Sequence, residues 1–350
     1  MKAEINKLFV YGTLLKGEPR SHLIHDCKLL GIEEVPGRLY DTGKGYPAAV
    51  FENPVKEKVT GEVYLLGENP EKKLKLLDQV EGVESGLYRR RVLLHNGLSL
   101  YAYEASYLLK DRPLKNIASG NWRRYGSVAF KDPAGFSISF ERHQKRSYRD
   151  FSCSSSNELI FLKGNIPVLI TAPHATSHLR MNKLKYEEEY TGAISVLLHI
   201  LTGSHTLYTN CALKTDPNFY EHTPFKERIR EIVEEFGIRF VIDIHGTRTQ
   251  TNNDIYPGIG KRGEFLLGNE KHFSLLEEST KAYGLTLGGL NVFPASRQMT
   301  VTKFVSQNLK IPAMQLEINR ELRNPQGNPG GFKNLIDALL KYIRSIQEIL

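Results

Sequence analysis

The sequence predicts two domains: an α+β domain on a mixed, barrel-like sheet, followed by a three-layer α/β domain. The first half contains short strand patterns, frequent turn residues and only one short helical pattern. The second half alternates apolar strand runs with helical patterns, which is typical of a sheet covered by helices. The 350 residues suffice for both. We place the domains at 1–125 and 158–350, with a linker and possible edge strands over 126–157.

The composition is that of an ordinary globular protein, with 40% hydrophobic and 25% charged residues. The net charge of +8 is spread widely, and the basic clusters at 89–91, 123–124 and 142–149 are short. None is interleaved with an aromatic RNA-reading motif, so we expect solvated faces and no nucleic-acid partner. The charge favours a modest attraction to anionic substrates.

No apolar run approaches the length of a membrane span, and the N-terminus lacks the apolar core of a signal peptide. We therefore expect a cytoplasmic protein with no membrane partner. An odd number of widely separated cysteines, without Cys-x-x-Cys, argues against a disulfide framework. These cysteines are Cys27, Cys153 and Cys211.

The first half begins with a strand over 8–11 that runs directly into Gly12 and Thr13. Such a turn exposes consecutive backbone N–H groups, which can hold a carboxylate without a charged side chain. The other predicted elements are strands over 61–66, 88–94 and 98–107 and a short helix over 71–78 that ends near Glu81 and Gly82.

As a set, the motifs of this half resemble the gamma-glutamylcyclotransferase-like (AIG-two-like) family over about residues 7–125. The resemblance implies that Glu81 is the acid/base carboxylate and that the loop from Tyr11 to Leu14 (Tyr11, Gly12, Thr13, Leu14) grips the substrate α-carboxylate. Thr13 and Leu14 match the branch that acts on gamma-glutamyl amines. The motifs are Val10-Tyr-Gly-Thr-Leu14, Gly37-x-Leu-Tyr-Asp41, Tyr46-Pro-Ala48, Gly61-Glu-Val-Tyr64, Leu77-Asp-x-x-Glu-Gly82, Tyr88-x-Arg90 and Ser119-Gly-Asn-Trp122.

The joint over 126–157 has weaker patterns. Gly135-Phe-Ser-Ile-Ser-Phe140 alternates apolar and polar residues, which predicts a strand. We read a strand pair over Val128–Glu141 and a loop over Arg142–Asn157.

In the second half, three apolar runs end in reactive side chains. The run from Pro167 ends in His174, Val241-Ile-Asp-Ile ends in His245, and Ile311-Pro-Ala-Met-Gln-Leu carries Glu317. Ligands usually bind at the carboxyl ends of the strands of an α/β sheet. The coincidence of His, His and Glu at such ends predicts a metal hydrolase site.

Residues 158–345 resemble the N-formylglutamate amidohydrolase family within the zinc-carboxypeptidase-like group. The carriers are Ala172-Pro-His174, the acidic residue before Tyr190-Thr191, Asp243-Ile-His-Gly246, Gly288-Gly289 and Gln315-Leu-Glu-Ile-Asn-Arg320.

This resemblance implies zinc as the cofactor, held by His174, His245 and a carboxylate. It implies Glu317 as the base and Arg320 or Arg180 as the group that pairs with a substrate carboxylate. Asp243 lies on the same strand face as His245, which allows a supporting role. The compact His-x-x-Glu motif is absent, because residue 177 is Ser. We choose Glu188 as third ligand, with Glu189 and His178 as alternatives; Glu187–Glu189 can also be plain helix-start charge.

Together these features predict a bifunctional enzyme for small glutamyl or N-acyl amino acid substrates. A gamma-glutamylamine cyclotransferase without a cofactor would be fused to a zinc amidohydrolase of N-acyl amino acids or gamma-glutamyl amides. In the alternative, only one domain is catalytic and the other is a metabolite-binding or structural module. A third possibility, a purely binding protein, is disfavoured because binding needs no proton carriers.

Overall fold

A computed structural model describes residues 5–52, 55–110, 113–247 and 252–350. The chain forms two compact units, Met1–Asp132 and Pro133–Leu350. Among the described residues, no helix has both the length and the apolar composition that a bilayer crossing requires.

The first unit contains a five-stranded sheet in the order β2-β5-β1-β7-β6 and a three-stranded sheet in the order β4-β3-β8. Of the strand pairs formed by the described residues of this unit, β1–β7 alone is parallel. The strands are β1 (Lys7–Val10), β2 (Lys28–Pro36), β3 (Arg38–Asp41), β4 (Pro47–Val50), β5 (Lys58–Leu65), β6 (Tyr88–His95), β7 (Leu98–Ala105) and β8 (Lys115–Asn116), and the helices are α1 (Pro70–Val80), α2 (Tyr107–Lys110) and α3 (Trp122–Tyr125), with 3₁₀ turns at Ser21–Ile24 and Val128–Phe130.

The predicted single sheet is thus divided in two. The chain leaves the first sheet and enters the second at Gly37, which lies between β2 and β3 and close to Val50 of β4. A Cβ on Gly37 would lie 2.8 Å from the carbonyl oxygen of Val50, so a larger residue would push the strands apart.

The strand pair predicted over 128–141 is wrong, because this segment is a 3₁₀ turn followed by helix α4 (Pro133–Gln144). The alternation of Phe136, Ile138 and Phe140 suggested a strand. In the structure Phe136 and Phe140 are both buried one helical turn apart, with ring centroids at 6.1 Å. The four-residue spacing of these phenylalanines therefore places both side chains on the buried face of a helix.

The second unit is built on a six-stranded sheet in the order β15-β16-β14-β10-β13-β9, whose four inner strands are parallel. The strands are β9 (Leu159–Leu162), β10 (Ile166–Ala172), β11 (His178–Arg180), β12 (Lys183–Lys185), β13 (Ser204–Thr209), β14 (Phe240–Gly246), β15 (Ile255–Gly258) and β16 (Ala313–Ile318), and the remaining helices are α5 (Thr191–Thr202), α6 (Pro224–Phe236), α7 (Lys271–Ala282), α8 (Val301–Phe304), α9 (Arg320–Arg323) and α10 (Pro329–Ile349), with 3₁₀ turns at Ser155–Asn157 and Glu264–Leu266 and a π-helix at Val305–Leu309.

Strand β14 lies between β10 and β16 and is buried along its whole length. Its β-branched residues pack against helix α6, and Val241, Phe225 and Ile229 belong to one buried cluster. Helix α6 starts at a Thr223 cap and ends at Gly237 in the left-handed conformation, so the chain turns back sharply into β14. The sequence therefore delivers the carboxyl end of β14 to the middle of the sheet edge.

Cys153 and Cys211 form a disulfide, and Cys27 is a buried thiol outside it. The sequence argument against disulfides is wrong for this pair. The two cysteines are 58 positions apart, but the chain beyond β13 returns to the loop after α4, where Ala212 N donates to Asp150 O.

Candidate active sites

The first candidate site surrounds Glu81, which follows helix α1 directly. Its backbone N–H donates to Leu77 O at 2.8 Å, so it closes the last turn of the helix. Gly82 follows with a φ of +63°, a conformation that suits glycine and turns the chain away. The side chain is thereby directed inward and is only 7% exposed.

Burial raises the pKa of the Glu81 carboxyl to about 7, and the nearby Arg20 guanidinium partly opposes this rise. The closest Arg20–Glu81 ion-pair atoms, Nη1 and Oε1, are 3.6 Å apart. A carboxyl that titrates near neutral pH is suited to both accept and return a proton.

Buried tyrosines form the wall of this pocket. Tyr88 donates its hydroxyl to Pro47 O at 2.6 Å, and Tyr103 donates to Asp78 Oδ1 at 2.9 Å. Tyr11 donates to Tyr103 O and accepts from Ala49 N. Each hydroxyl is thus held by the protein, and the rings shape the walls. The pocket is lined by Phe9, Val10, Tyr11, Gly12, Thr13, Leu14, Arg20, Tyr46, Pro47, Glu81, Tyr88 and Tyr103.

The loop after β1, residues 11–14, also borders this pocket. Gly12 is packed so closely that an added Cβ would lie 2.7 Å from Pro47 Cγ. Within the described part of the chain, the N–H groups of Thr13 and Leu14 have no hydrogen-bond acceptor. They are therefore available to an anion in the pocket.

The second candidate site is formed by His174, Glu188 and His245. Glu188 Oε1 lies 2.9 Å from His174 Nδ1, and Glu188 Oε2 lies 3.0 Å from His245 Nδ1. One potential ligand atom from each residue lies within 4.8 Å of the other two. Strands β10 and β14 are parallel neighbours, which brings the two histidines to one edge of the sheet.

Two further carboxylates stand behind the histidines. His174 Nε2 lies 3.0 Å from Asp216 Oδ1, and His245 Nε2 lies 3.0 Å from Asp243 Oδ2. Each ring therefore turns Nδ1 to Glu188 and Nε2 to an acidic oxygen, the arrangement by which a histidine is oriented as a metal ligand.

This excess of carboxylates favours positive charge at the centre. Burial lowers the pKa of His174, but Glu188 and Asp216 outweigh it and raise the pKa to about 9. Burial likewise opposes the charge on His245, yet Asp243 and Glu188 hold its pKa well above the usual range. A divalent cation or protons on the rings supply the charge that the carboxylates favour, so the donor set fits a zinc ion.

Glu317 lies beside this cluster because β14 and β16 are in register, with His245 opposite Glu317. Burial raises the pKa of Glu317 to about 7, with Glu188 adding to the rise and His245 opposing it. Gln315 Nε2 donates to Glu317 Oε1 at 2.8 Å and orients the carboxyl. Both border a cavity of about 280 Å³ that also contains His174, Glu188 and His245.

The other predicted residues are distributed around the cluster. Arg180 borders the same cavity and donates Nε to Asp216 Oδ2 at 2.6 Å. Arg320 does not border that cavity. It pairs with Glu189 at 3.3 Å and borders a separate cavity of about 240 Å³. His178 lies 3.2 Å from Asp216 and stacks on His174.

The three glutamates do not form the first turn of a helix, because α5 begins only at Thr191 after Tyr190 in the left-handed conformation. Each has its own partner. Glu187 accepts from Ser177, Glu188 contacts both histidines, and Glu189 pairs with Lys145 and Arg320.

The sequence patterns do not predict several of the residues at the two sites. Asp216 and Asn218 lie in the loop after β13, where no periodicity marks them, and Asn218 Nδ2 lies 2.8 Å from His245 Nε2. Residues 292–298 of another loop border the larger cavity. At the first site the unpredicted residues are Arg20 and Tyr103, although Arg20 follows the flagged loop by only six positions.

Residues 8–124 match the family model described as gamma-glutamyl cyclotransferase, AIG2-like. The curated gamma-L-glutamyl-butirosin B gamma-glutamyl cyclotransferase of Niallia circulans is 41% identical over 75 residues, which are 21% of this chain and 44% of that relative. The chain thus matches less than half of that relative's length. The resemblance predicted for the first half is confirmed, and this region has a cyclotransferase-like fold.

Solved structures similar to parts of this chain include the following two. The uncharacterized protein PH0828 from Pyrococcus horikoshii is 26% identical, covering 34% of this chain and 90% of its own, with a TM-score of 0.28. A bacteriophage poly-gamma-glutamate hydrolase is 14% identical, covering 55% of this chain and 90% of its own, with a TM-score of 0.37.

Proposed function

We propose that the first unit is a gamma-glutamylamine cyclotransferase in which Glu81 is the acid and base. The observation that carries this proposal is the Glu81 carboxyl: it is buried, burial raises its pKa to about 7, and it borders a pocket within the region that matches the cyclotransferase family. The curated relative acts, by its name, on a gamma-glutamyl group carried by butirosin B. For this chain we propose the class of gamma-glutamyl amines.

In this reaction the substrate's α-amine attacks its own γ-carbonyl carbon. A new C–N bond closes the five-membered ring, and the bond to the leaving amine breaks. Glu81 accepts a proton from the attacking nitrogen and delivers it to the leaving nitrogen, so the carboxyl ends as it began. The products are 5-oxoproline and the free amine. The N–H groups of Thr13 and Leu14 face the α-carboxylate.

The test is 5-oxoproline release from a panel of gamma-glutamyl amines. Loss of a positioned proton carrier costs about 10²- to 10⁴-fold in rate, so Glu81→Gln is expected to lower kcat by that factor. Glu84 is exposed and three positions away, which makes Glu84→Gln the matched control. Equal rates for wild type and Glu81→Gln would overturn the assignment.

We further propose that the second unit is a zinc-dependent amidohydrolase of N-acyl amino acids or gamma-glutamyl amides. The arrangement of His174, Glu188 and His245, with Asp216 and Asp243 behind the rings, supports it. These three residues would hold the zinc, which when bound lowers the pKa of a water and polarises a carbonyl.

The chain's own groups perform the remaining tasks. Glu317 has a raised pKa and lies next to the cluster, so it takes a proton from the attacking water and gives it to the leaving amine. Arg180 borders the cavity and offers a guanidinium to a substrate carboxylate, while Asp216 fixes its Nε. Arg320 borders the other cavity, and we retain it as a candidate for more distant parts of a substrate.

Metal analysis of the purified protein, together with hydrolysis of N-formylglutamate and gamma-glutamyl amides, tests this second proposal. One zinc per chain is expected, with loss in His174→Ala and His245→Ala but not in the exposed control His222→Ala. Zinc content that ignores the first two substitutions would rule the site out. Turnover of both substrate classes distinguishes two catalytic units from one enzyme joined to a binding module, and a heat-shift assay with zinc, 5-oxoproline and N-formylglutamate shows which ligands bind.

A further inference from the structure

The pocket around Glu81 contains one positive and one negative side chain. Of the described residues that border it, only Arg20 is cationic and only Glu81 is a carboxylate; the others are apolar, phenolic, hydroxylic or glycine. The two charges are 3.6 Å apart at their closest atoms, slightly beyond hydrogen-bonding distance.

Arg20 is held in place by its backbone, and its guanidinium forms an ion pair with Glu81 but no hydrogen bond to any described residue. Its N–H donates to Thr13 O at 2.8 Å, which ties Arg20 to the loop that exposes the Thr13 and Leu14 N–H groups. Among the described residues, the guanidinium makes no hydrogen bond, and its side chain is 38% exposed. Its donors are therefore available to a ligand that enters from solvent.

We propose that Arg20 is the specificity residue of this pocket, which binds the α-carboxylate of a free α-amino acid head group while Glu81 faces its α-amino group. The proposal rests on the cyclotransferase function of the first unit. The two charged groups of such a head group are attached to one carbon, with nitrogen and oxygen about 3 Å apart. An Arg–Glu pair of similar separation complements that head group charge for charge.

This arrangement links substrate recognition to proton transfer. Arg20 opposes the rise in the Glu81 pKa while its charge faces that carboxyl. In the complex the substrate α-carboxylate pairs with Arg20, and Glu81 is left facing the α-amino group from which it takes a proton. A substrate without the α-carboxylate leaves the Arg20–Glu81 ion pair intact and gains no contact with either side chain.

The test compares two substrates in four proteins. The substrates are gamma-L-glutamyl ethylamide and the same compound with its α-carboxylate converted to carboxamide, and the signal is ethylamine release. The proteins are wild type, Arg20→Gln, Arg20→Lys and the control Arg38→Gln, whose arginine forms exposed ion pairs outside the pocket. Thermal unfolding of each variant checks that it folds.

Wild type is expected to prefer the carboxylate substrate in kcat/KM, and Arg20→Gln to reduce this preference at least tenfold, mainly through KM. Arg20→Lys is expected to restore part of it because the charge is retained. Arg38→Gln is expected to match wild type. An unchanged preference in a folded Arg20→Gln protein overturns the proposal, since a merely structural role would affect both substrates equally.

Failure of the cyclotransferase proposal gives a different pattern. If wild type releases ethylamine from neither substrate, that function fails, and calorimetric binding of the same two compounds decides the role of Arg20. Tighter binding of the carboxylate by wild type than by Arg20→Gln supports the specificity role. Equal binding, or no binding of either compound to wild type, overturns it.

Discussion

At the scale of single residues, burial decides what each carboxyl does. Glu81 and Glu84 are three positions apart, yet Glu84 is exposed, whereas Glu81 is buried and has a pKa raised to about 7. Motif resemblance identified Glu81 because its neighbours in sequence form part of the pattern. Asp216 was not identified, because its role comes from a hydrogen bond to His174, 42 positions away. Long-range partners of this kind leave no local signal in the sequence.

The raised pKa of Glu81 predicts a stability that depends on pH. Between its ordinary value of 4.5 and about 7, the folded state binds the proton more tightly than the unfolded state. The protonated Glu81 carboxyl therefore makes its full contribution to the free energy of unfolding below about pH 4.5. This contribution, up to about 3 kcal/mol, is lost as pH rises through 7. Glu81→Gln lacks this loss, so it should unfold at higher temperature than wild type at pH 8 and show a smaller advantage at pH 5.

Trp122 provides the measurement, because it is the chain's one tryptophan and is buried in the first unit. Its fluorescence during thermal unfolding reports on that unit at each pH. Glu84→Gln serves as the control and should follow wild type. A stability difference between Glu81→Gln and wild type that does not change with pH would contradict the assigned pKa.

Asp216 predicts the strength of metal binding. Asp216→Asn keeps the size of the side chain but weakens the orientation of His174, and such losses typically reduce metal affinity about 10- to 100-fold. Zinc titration against a competing chelator measures the change. Asp337→Asn, which alters an exposed ion pair in α10, is the control. Equal zinc affinity of both variants would show that Asp216 does not support the ligand.

At the scale of elements, strands with strong apolar runs were the most predictable feature. Strands β10, β14 and β16 appear where the sequence places them, because continuous β-branched and apolar runs favour buried parallel strands. Helix α4 was mistaken for strands, since a short segment with both spacings satisfies either period and only packing decides. The division of the first unit into two sheets is also not predictable from the strand patterns, because a local pattern does not show which strands pair with each other.

The loop after β1 gives a prediction about backbone space. Gly12→Ala would place a Cβ 2.7 Å from Pro47 Cγ, so the loop must shift away from the pocket wall. We expect 5-oxoproline release to fall about tenfold or more as the Thr13 and Leu14 N–H groups move. Gly330→Ala, where an added Cβ meets open space, is the control. Unchanged kinetics in Gly12→Ala would show that the loop position is not critical.

At the scale of the whole molecule, the two compact units contain different sets of reactive side chains. Every group of His, Cys, Asp and Glu side chains close enough to hold a metal, within the described ranges, belongs to residues 133–350. The pocket around Glu81 offers a single carboxylate and no histidine. A dependence on metal is therefore expected for one proposed activity and not for the other.

Chelation tests this separation on the intact chain. Dialysis against a strong chelator should abolish hydrolysis of N-acyl amino acids and leave 5-oxoproline release within about twofold of its starting rate. Added zinc should restore hydrolysis, and His222→Ala should respond as wild type does. Parallel loss of both activities on chelation would contradict the assignment of a metal-free mechanism to the first unit.

The pairing of His245 with Glu317 across two parallel strands has a consequence for how this protein can change. The relative position of His245 and Glu317, a proposed ligand and the proposed base, is set by the strand pairing, whereas much of the cavity rim comes from a connecting segment, 292–298, outside the paired strands. Substitutions in that segment can change the cavity rim without altering the β14–β16 pairing, provided that the Gly260 N–H to Pro294 O bond and the Phe293–Tyr256 contact with β15 are kept. Both natural selection and protein engineering can therefore change substrate preference through this segment while the paired strands stay as they are.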